Sequence, residues 1–258
     1  MSLEYNLNFV KDKAKKSNIK KAISVLERGF YTNQEVSSFF LDPFERKVIE
    51  DIARKNNIDI VFIGGNDECE RKIFVANYYY LPLEDGDYIK VLSFNSSDIK
   101  HPDVLGALIH MGIDRNSIGD ISILDSSVEF VVLEEEANFI KYNLNKIKRE
   151  GINIEIKKDS KLNKEKEDYI LSTSFISSLR LDNIVASLVN TSRAKAKTLI
   201  NNRLVKVDHQ IITDPSYNID EGAMISIRKE GRFIFDRIRG LSKKGNYHIE
   251  YRKLVWYI

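Results

Sequence analysis

The first third of the chain carries apolar residues at helical spacing, with one short extended run near its end. Asp42 followed by Pro43 is typical of a helix start, because aspartate caps the first turn and proline fits its first position. The apolar positions of residues 44–52 then fall on one helical face. The unbroken apolar run at residues 60–63 predicts a short buried strand. We expect a mainly helical domain over residues 1–83.

The middle of the chain alternates between strand and helix patterns. The predicted elements are a strand at 89–94, a helix at 102–111, strands at 120–124 and 128–133, a helix at 137–150 and a strand at 152–156. This order, over residues 88–158, is that of ferredoxin-like and RNA-recognition (RRM-like) folds. Fold order alone does not imply RNA binding. The strands lack the basic and aromatic signature with which RNA-recognition motifs stack bases. Stacking of RNA bases on this sheet is therefore the less favoured interpretation.

A polar segment follows the middle region. Residues 157–168 are rich in Lys, Glu, Asp and Asn and hold one apolar residue, Leu162. Such a composition cannot bury much apolar surface, so it predicts a flexible linker. The predicted architecture is therefore α+β and multidomain, with a third domain over residues 175–258.

The C-terminal third predicts two short helices followed by a small twisted sheet. Apolar residues of segment 181–189 recur at helical spacing, and Ser192 is a good cap for a second helix. Arg193, Lys197 and Asn201 are four residues apart, so they form a polar row on a face other than the apolar one. The alternating segments that follow predict the strands.

Charge is distributed unevenly along the chain. The formal net charge of +2 over 258 residues says little by itself. From Arg180 onward, however, 15 Lys and Arg stand against 8 Asp and Glu, whereas the first 179 residues hold 25 against 30. A basic third beside a mildly acidic remainder is typical of a protein that meets a polyanion with one segment. A well-solvated basic face is the alternative explanation.

Spaced residues of the C-terminal third carry a resemblance to a known RNA-binding module. They are Arg180, Leu181, Asp182, Ser192, Arg193, Ala196, Leu199, Ile200, Val205, Lys206, Val207, Asp214, Pro215 and Gly222. In this order they resemble the alpha-L motif named after small ribosomal subunit protein S-four. The chain departs from the motif at Arg203, where glycine is usual, and at Asp208 and His209, where an Asn-Gly turn is usual. Ala223 stands where the motif often has aspartate.

The resemblance extends over nearly the whole chain. Segments 40–43, 64–65, 70–71, 101–107, 119–121, 231–233 and 240–245 resemble the YlmH family. This resemblance implies a bacterial, ribosome-associated factor that acts on the large subunit when a nascent chain is stalled on transfer RNA. It also implies that the partner is structured RNA, either ribosomal or transfer RNA.

Polar and basic residues of the C-terminal third are the predicted RNA contacts, because Lys and Arg replace counterions along the phosphate backbone. They are Arg180, Ser192, Arg193, Lys197, Asn201, Arg203, Lys206, Arg232, Lys243 and Lys244. Two uses stay open for Arg180, an RNA contact or an ion pair with Asp182. For Ser192 the helix cap is favoured over a phosphate contact. Lys206 and the Lys243–Lys244 pair could equally be plain solvated residues.

The sequence holds no recognisable catalytic constellation. Its four histidines are scattered, Gly64 and Gly65 lack the lysine of a phosphate loop, and the acids at 134–136 suit a helix start. The single cysteine, Cys69, excludes an internal disulfide and a cysteine-based zinc site. No apolar run reaches the roughly 20 residues of a membrane span, and the first residues do not resemble a secretory signal. We expect a cytoplasmic, monomeric protein without catalytic residue, cofactor, metal, membrane or small-molecule ligand.

Two other functions remain open. Pseudouridine synthases often carry the same module, and Arg180, Leu181 and Asp182 are similar to the context of their catalytic aspartate. The tripeptide lies at the start of the module, however, and the residues before it look too few and too helical for that catalytic domain. The second alternative is a protein adaptor, anchored by the basic module while residues 1–160 bind proteins.

Overall fold

The computed structural model describes residues 3–79, 82–164 and 168–255. The chain forms two compact units, residues 1–166 and 167–258. Helices and strands are mixed in both, as expected of an α+β protein. The predicted domains 1–83 and 88–158 both lie in the first unit, and the border between them stays a prediction.

The N-terminal part of the first unit packs two helices on a small sheet. Its elements are α1 (Lys13–Thr32), β1 (Val36–Ser37), α2 (Pro43–Lys55), β2 (Ile60–Ile63) and β3 (Ile73–Ala76), with the strands antiparallel in the order β1-β3-β2. Helix α2 begins as predicted. The Asp42 carboxylate accepts a hydrogen bond from the Glu45 amide at 3.0 Å, and the Glu45 carboxylate accepts one from the Asp42 amide. This reciprocal pair fixes the start of the helix.

The middle part of the first unit follows with a second sheet. Its elements are β4 (Ile89–Asn95), α3 (His101–His110), β5 (Ile118–Leu124), β6 (Ser127–Leu133), α4 (Glu134–Asn143), β7 (Lys146–Ile147), β8 (Glu150–Gly151) and β9 (Glu155–Ile156). The described strands pair antiparallel in the order β5-β6-β4-β9. Leu92 and Phe130 of this sheet share an apolar core with Val104 of α3 and Ile140 of α4. This element order is that of the split β-α-β arrangement.

The predicted helix over 137–150 is wrong in its second half. Helix α4 ends at Asn143, and β7 and β8 then form a hairpin in which Lys148 has a φ of +54°. Leu144 and Ile147 continue the helical spacing after Ile140, but the hairpin buries both of them as well. Apolar spacing therefore did not distinguish the two conformations. The last predicted strand, 152–156, is shortened to β9.

The sheet of the middle part is covered on both faces. The face away from α3 and α4 carries Val91 and Val131, which lie in a core with Phe40 from the N-terminal part. A Cβ atom at Gly119 would lie 2.8 Å from the Phe40 ring, so only glycine allows this close approach. The first two predicted regions thus share one core across this face.

The linker predicted for residues 157–168 is wrong over residues 157–164. Leu162 is buried, and Lys157 and Asn163 donate hydrogen bonds to the buried Glu129 carboxylate of β6. Lys164 Nζ lies 2.9 Å from the Asp120 carboxylate. The polar composition suggested a solvated segment, but its charged side chains pair with acids that are distant in sequence. Residues 165–167 of the predicted linker lie outside the described residues.

The second unit contains the predicted helix pair and a larger sheet than expected. Its elements are β10 (Tyr169–Ile176), α5 (Leu181–Leu188), α6 (Arg193–Asn201), β11 (Val205–Val207), β12 (Gln210–Ile211), β13 (Met224–Ile227), β14 (Gly231–Leu241) and β15 (Tyr247–Leu254). The described strands form an antiparallel sheet in the order β10-β15-β14-β13-β11-β12. Val185 and Ile200 pack against Phe233 in the core between helices and sheet. Strand β10 begins before residue 175, where the predicted third domain starts.

Candidate nucleic-acid interface

The start of the C-terminal module is organised around the Asp182 carboxylate, in the first turn of α5. Among the described residues three cations converge on it: Arg180 Nη2 at 3.1 Å, Arg193 Nη2 at 3.1 Å and Lys197 Nζ at 4.0 Å. Asp182 is fully buried, whereas the three cations are 36%, 47% and 49% exposed. We call these four residues the Asp182 cluster. One negative charge cannot neutralise three positive charges, so the cluster presents an excess of positive charge to solvent.

The charge state of Asp182 favours this arrangement. Burial alone would raise its pKa, but hydrogen bonds from Arg180 and Arg193 outweigh burial and hold the pKa below its ordinary value. The ionised carboxylate therefore fixes two guanidinium groups, whose planar forks suit phosphate oxygens. The ion pair weighed for Arg180 is present, and its RNA contact stays a prediction.

Helix α6 carries the predicted polar row. The Ser192 hydroxyl accepts a hydrogen bond from the Lys195 amide at 3.2 Å, so Ser192 caps the helix as predicted. Arg193, Lys197 and Asn201 follow on α6 at successive turns, and all three are exposed. Ala196 and Ile200 lie on another face of α6 and are buried in the core. The row therefore remains open to a ligand.

A basic groove lies along one face of the sheet, over β11, β13 and the start of β14, next to the residues that follow α6. It has a volume of about 690 Å³, and five cations line it: Arg203, Lys206, Arg228, Lys229 and Arg232. Strand register sets Lys206 opposite Ser226, and Ser226 opposite Arg232, so the two cations share one face of the sheet. His209 and Glu230 also line this groove.

The groove brings together three predicted residues and two that sequence analysis missed. Arg203, Lys206 and Arg232 were predicted contacts, and the structure places all three in one concave surface. Arg228 and Lys229 were not predicted. The signal that could have found them is the basic doublet immediately after the last strand of the alpha-L motif, in the turn before Arg232.

The departures from the alpha-L motif leave its backbone intact. Arg203 has a φ of +61°, so an arginine occupies the left-handed conformation for which glycine is usual. Asp208 and His209 have φ values of +45° and +64°, as a type I′ turn requires. The Asp208 carboxylate also accepts a hydrogen bond from the Met224 amide at 2.9 Å, which ties the turn to β13.

Lys243 and Lys244 belong neither to the Asp182 cluster nor to the basic groove. They lie in the turn between β14 and β15, where both side chains are exposed. The turn is closed by a hydrogen bond from the Ser242 amide to the Asn246 carbonyl oxygen at 2.8 Å. Neither lysine lines the basic groove or contacts Asp182, so their RNA contact stays a prediction.

The sheet of the middle part is closed to base stacking. RNA-recognition motifs stack bases on aromatic side chains of an exposed sheet face. Here Val91 and Val131 occupy the corresponding face, and both are fully buried under the N-terminal part. An RNA contact of this part would therefore have to use a different surface.

The described residues give little support for a metal site, a reactive cysteine or a membrane span. No group of three or more His, Cys, Asp and Glu side chains among them is arranged to hold a metal ion. Burial raises the pKa of the Cys69 thiol to about 11, so the thiol stays protonated at neutral pH. In the described parts of the chain, no helix combines the length and the apolar character needed to cross a bilayer.

Two domain families match the chain. The family described as the putative RNA-binding domain in YlmH matches residues 93–161, and the S4 domain matches residues 179–225. The second match includes the Asp182 cluster, α6 and the hairpin after it. Arg228, Lys229 and Arg232 of the basic groove lie beyond it.

A relative from Bacillus subtilis (strain 168) extends the likeness to most of the chain. This relative is the ribosome-associated protein quality control protein P2, and it is 32% identical over 219 residues. The alignment covers 83% of this chain and 85% of the relative. The chain belongs to the YlmH family. The resemblance seen in the sequence is thereby confirmed.

Further YlmH and S-four comparisons concern parts of the chain. Small ribosomal subunit protein uS4 of Bacteroides fragilis (strain YCH46) is 33% identical over 78 residues, which are 30% of this chain and 38% of that protein. The solved structure of the cell division protein ylmH from Streptococcus pneumoniae aligns with 60% of this chain and 95% of that chain. Its TM-score is 0.51 at 15% identity, which is a likeness of fold.

Proposed function

We propose that this YlmH-family protein is a ribosome-associated factor that binds structured RNA through its C-terminal unit. The observation that carries the proposal is the Asp182 cluster, in which one buried carboxylate holds three partly exposed cations in place. The basic groove adds five more cations on the same unit. Such surfaces suit A-form RNA, which proteins recognise through its shape, phosphates and 2′-hydroxyl groups.

The RNA is proposed to be ribosomal RNA, transfer RNA or both, on the large ribosomal subunit. The name of the Bacillus subtilis relative supports a role in ribosome-associated protein quality control. The resemblance to the YlmH family implies that this role concerns stalled nascent chains. The likeness to small-subunit protein uS4 covers 38% of that protein and supports the RNA-binding module alone. We propose that the protein acts as a monomer in the cytoplasm.

The proposed role is non-catalytic. The main enzymatic alternative, a pseudouridine synthase, would need the Asp182 carboxylate to reach a uridine. That carboxylate is fully buried, and Arg180 and Arg193 donate hydrogen bonds to it. Its arrangement is that of an organising residue in the binding module.

The proposal is tested by replacing Arg193 and Lys197 together with Gln. Because each replacement removes one phosphate-binding cation, we expect at least about tenfold weaker ribosome co-sedimentation. The slope of log affinity against log salt should become shallower by roughly 1 for each lost contact. The matched control is Lys195→Gln, an exposed cation on the same helix that does not contact Asp182. Equal binding and equal salt slopes for the two variants would contradict the proposal.

The adaptor alternative is separated by crosslinking on purified ribosomes. We expect RNA crosslinks to fall in residues 167–258. Protein crosslinks at residues 1–160, with ribosome association unchanged in the Arg193 and Lys197 variant, would favour an adaptor instead.

A further inference from the structure

The sheet of the C-terminal unit has a second face, turned away from α5 and α6. On the helix side, Ile249 is fully buried in the core, and the Ser187 hydroxyl of α5 donates a hydrogen bond to the Ser174 hydroxyl at 2.7 Å. Strand neighbours alternate between faces, so Phe175, His248 and Glu250 lie on the other side. We call that side the open face. None of these three residues lies within the segments matched by either domain family.

A stacked ring pair lies at the edge of the open face. Phe175 of β10 is directly opposite His248 of β15 in the strand register. Their ring centroids are 4.5 Å apart and their planes differ by 15°, which is a parallel stack. The Phe175 residue is 58% exposed. Because β10 is the edge strand among the described strands of this sheet, no described strand lies beside Phe175 on the side away from His248.

Two arginines lie next to this ring pair. Arg237 and Arg239 both contact the buried carboxylate of Glu250, Arg237 through Nε at 3.0 Å. Irregularities in the β14–β15 register at these positions bring both side chains to one carboxylate. The Arg237 side chain is 64% exposed and the Arg239 side chain is 42% exposed. A buried acid again holds more than one exposed guanidinium, as in the Asp182 cluster.

The open face as a whole has an excess of positive charge among its described residues. Arg252 pairs with Asp236 and lies 4.9 Å from the centre of the Tyr169 ring. The register continues across the same face to Lys206 and Arg232 of the basic groove. Cations on the same face as an exposed aromatic ring are the combination with which proteins hold unpaired nucleotides.

We propose that the open face is a second RNA contact, in which an unpaired base stacks on Phe175 and the adjoining phosphates pair with Arg237 and Arg239. This inference rests on the proposed RNA-binding function and adds a preference for RNA with an unpaired nucleotide. RNA is the favoured occupant because the surface combines a flat aromatic pair with fixed guanidinium groups and a surplus of cations. Stacking on an aromatic ring is tolerant of base identity, so the preference concerns an unpaired nucleotide of any sequence.

The test compares two labelled RNA hairpins that differ by one nucleotide. One hairpin is fully paired, and the other carries a single bulged nucleotide in the same stem. Fluorescence anisotropy should show that the full-length protein binds the bulged hairpin about tenfold more tightly. Phe175→Ala should remove this preference, with a loss of about tenfold on the bulged hairpin, which lies within the range that base stacking spans.

The matched control is Ile170→Ala. Ile170 is on the same strand and is 57% exposed, but strand alternation places it on the helix side of the sheet. It should keep the preference for the bulged hairpin. Phe175→Leu keeps an apolar side chain without a flat ring, and it should lose the preference while leaving the thermal unfolding midpoint unchanged. Replacement of Arg237 and Arg239 with Gln should weaken binding of the bulged hairpin.

The outcomes separate this inference from the proposed function. If the unaltered protein binds neither hairpin nor ribosomes, the proposed function is wrong. If it binds both hairpins equally, or if Phe175→Leu retains the preference, the stacking contact is overturned while RNA binding stands. If Phe175→Ala lowers ribosome co-sedimentation but not hairpin binding, the open face contacts a ribosomal protein and the inference is also overturned.

Discussion

At the scale of single residues, Asp182 explains why arginines in this module are both paired and available. An unpaired arginine samples many conformations, and fixing one for a phosphate costs entropy. Arg180 and Arg193 are already fixed by hydrogen bonds to one carboxylate, and their exposed atoms can still meet a second anion. Glu250 likewise accepts a hydrogen bond from Arg237 and forms an ion pair with Arg239. These acids organise cations instead of cancelling them.

Asp182→Asn is therefore expected to lower both stability and RNA affinity. Loss of charge-assisted hydrogen bonds should cost about 1–3 kcal/mol of the free energy of unfolding at pH 7. Because the folded-state pKa lies below the ordinary value of 3.8, this contribution is present above pH 3.8 and is lost as pH falls through the folded-state pKa. Urea unfolding should thus show that the variant and the native protein differ less in free energy of unfolding near pH 3 than at pH 7.

The control for that measurement is Asp220→Asn. Asp220 is exposed on the same unit, so its replacement should change the free energy of unfolding by less than about 0.5 kcal/mol. A gap between the Asp182 variant and the native protein that stays constant down to pH 3 would contradict the ionised role of Asp182.

At the scale of elements, caps and turns were predictable because their chemistry is local. Asp42, Pro43 and Glu45 specify the start of α2 within four residues, and Ser192 specifies that of α6. Elements whose evidence lies elsewhere in the chain were missed. Residues 144–151 form a hairpin that buries the same apolar residues as the predicted helix. Strand β10 pairs with β15, some 80 residues later, and its polar middle gave no local signal.

Ser192 allows a direct test of an element-scale prediction. Ser192→Ala should destabilise the protein by about 1 kcal/mol because the Lys195 amide loses its partner, whereas Ser192→Gly should cost only a few tenths. Neither variant should change RNA affinity more than about twofold, since the hydroxyl serves the helix. Thermal unfolding and hairpin anisotropy measure the two effects. A Gly variant that is stable but binds RNA tenfold more weakly would make Ser192 a phosphate contact.

At the scale of the whole molecule, the order of regions and the basic C-terminal unit could be predicted from sequence, and the packing could not. Of the predicted contacts, Arg203 and Lys206 are close in sequence, but Arg232 is distant, and the sheet register brings Lys206 and Arg232 onto one face. The missed Arg237 and Arg239 look like ordinary strand residues until Glu250 is seen beside them. The polar composition of residues 157–164 likewise predicted a solvated segment, because local composition does not reveal ion-pair partners that are distant in sequence.

The segment 157–164 supplies the prediction at this scale. Lys164→Ala would remove the cation that pairs with the mostly buried Asp120 carboxylate, and among the described donors the Glu70 and Arg71 amides would remain. Burial raises the pKa of Asp120, and Lys164 helps to hold it below the ordinary value. We expect a loss of about 2–3 kcal/mol in the free energy of unfolding, near the lower end for a broken buried pair.

Urea unfolding measures that loss, and Lys161→Ala is the control. Lys161 is exposed on the same segment, so its replacement should cost less than about 0.5 kcal/mol. Similar values for the two variants would mean that the segment behaves as the solvated linker that its composition suggests.

The Phe40 ring against Gly119 has a practical consequence for anyone who dissects this protein. A fragment containing residues 88–158 alone would expose Val91 and Val131 to water. Such an exposed apolar patch can bind nucleic acid or other chains nonspecifically, in a way that the intact protein does not. Binding measured with such a fragment would reflect the core surface that truncation exposes, and not a surface of the intact protein. Residues 1–166 form one compact unit, and a fragment with these bounds keeps both sides of this core.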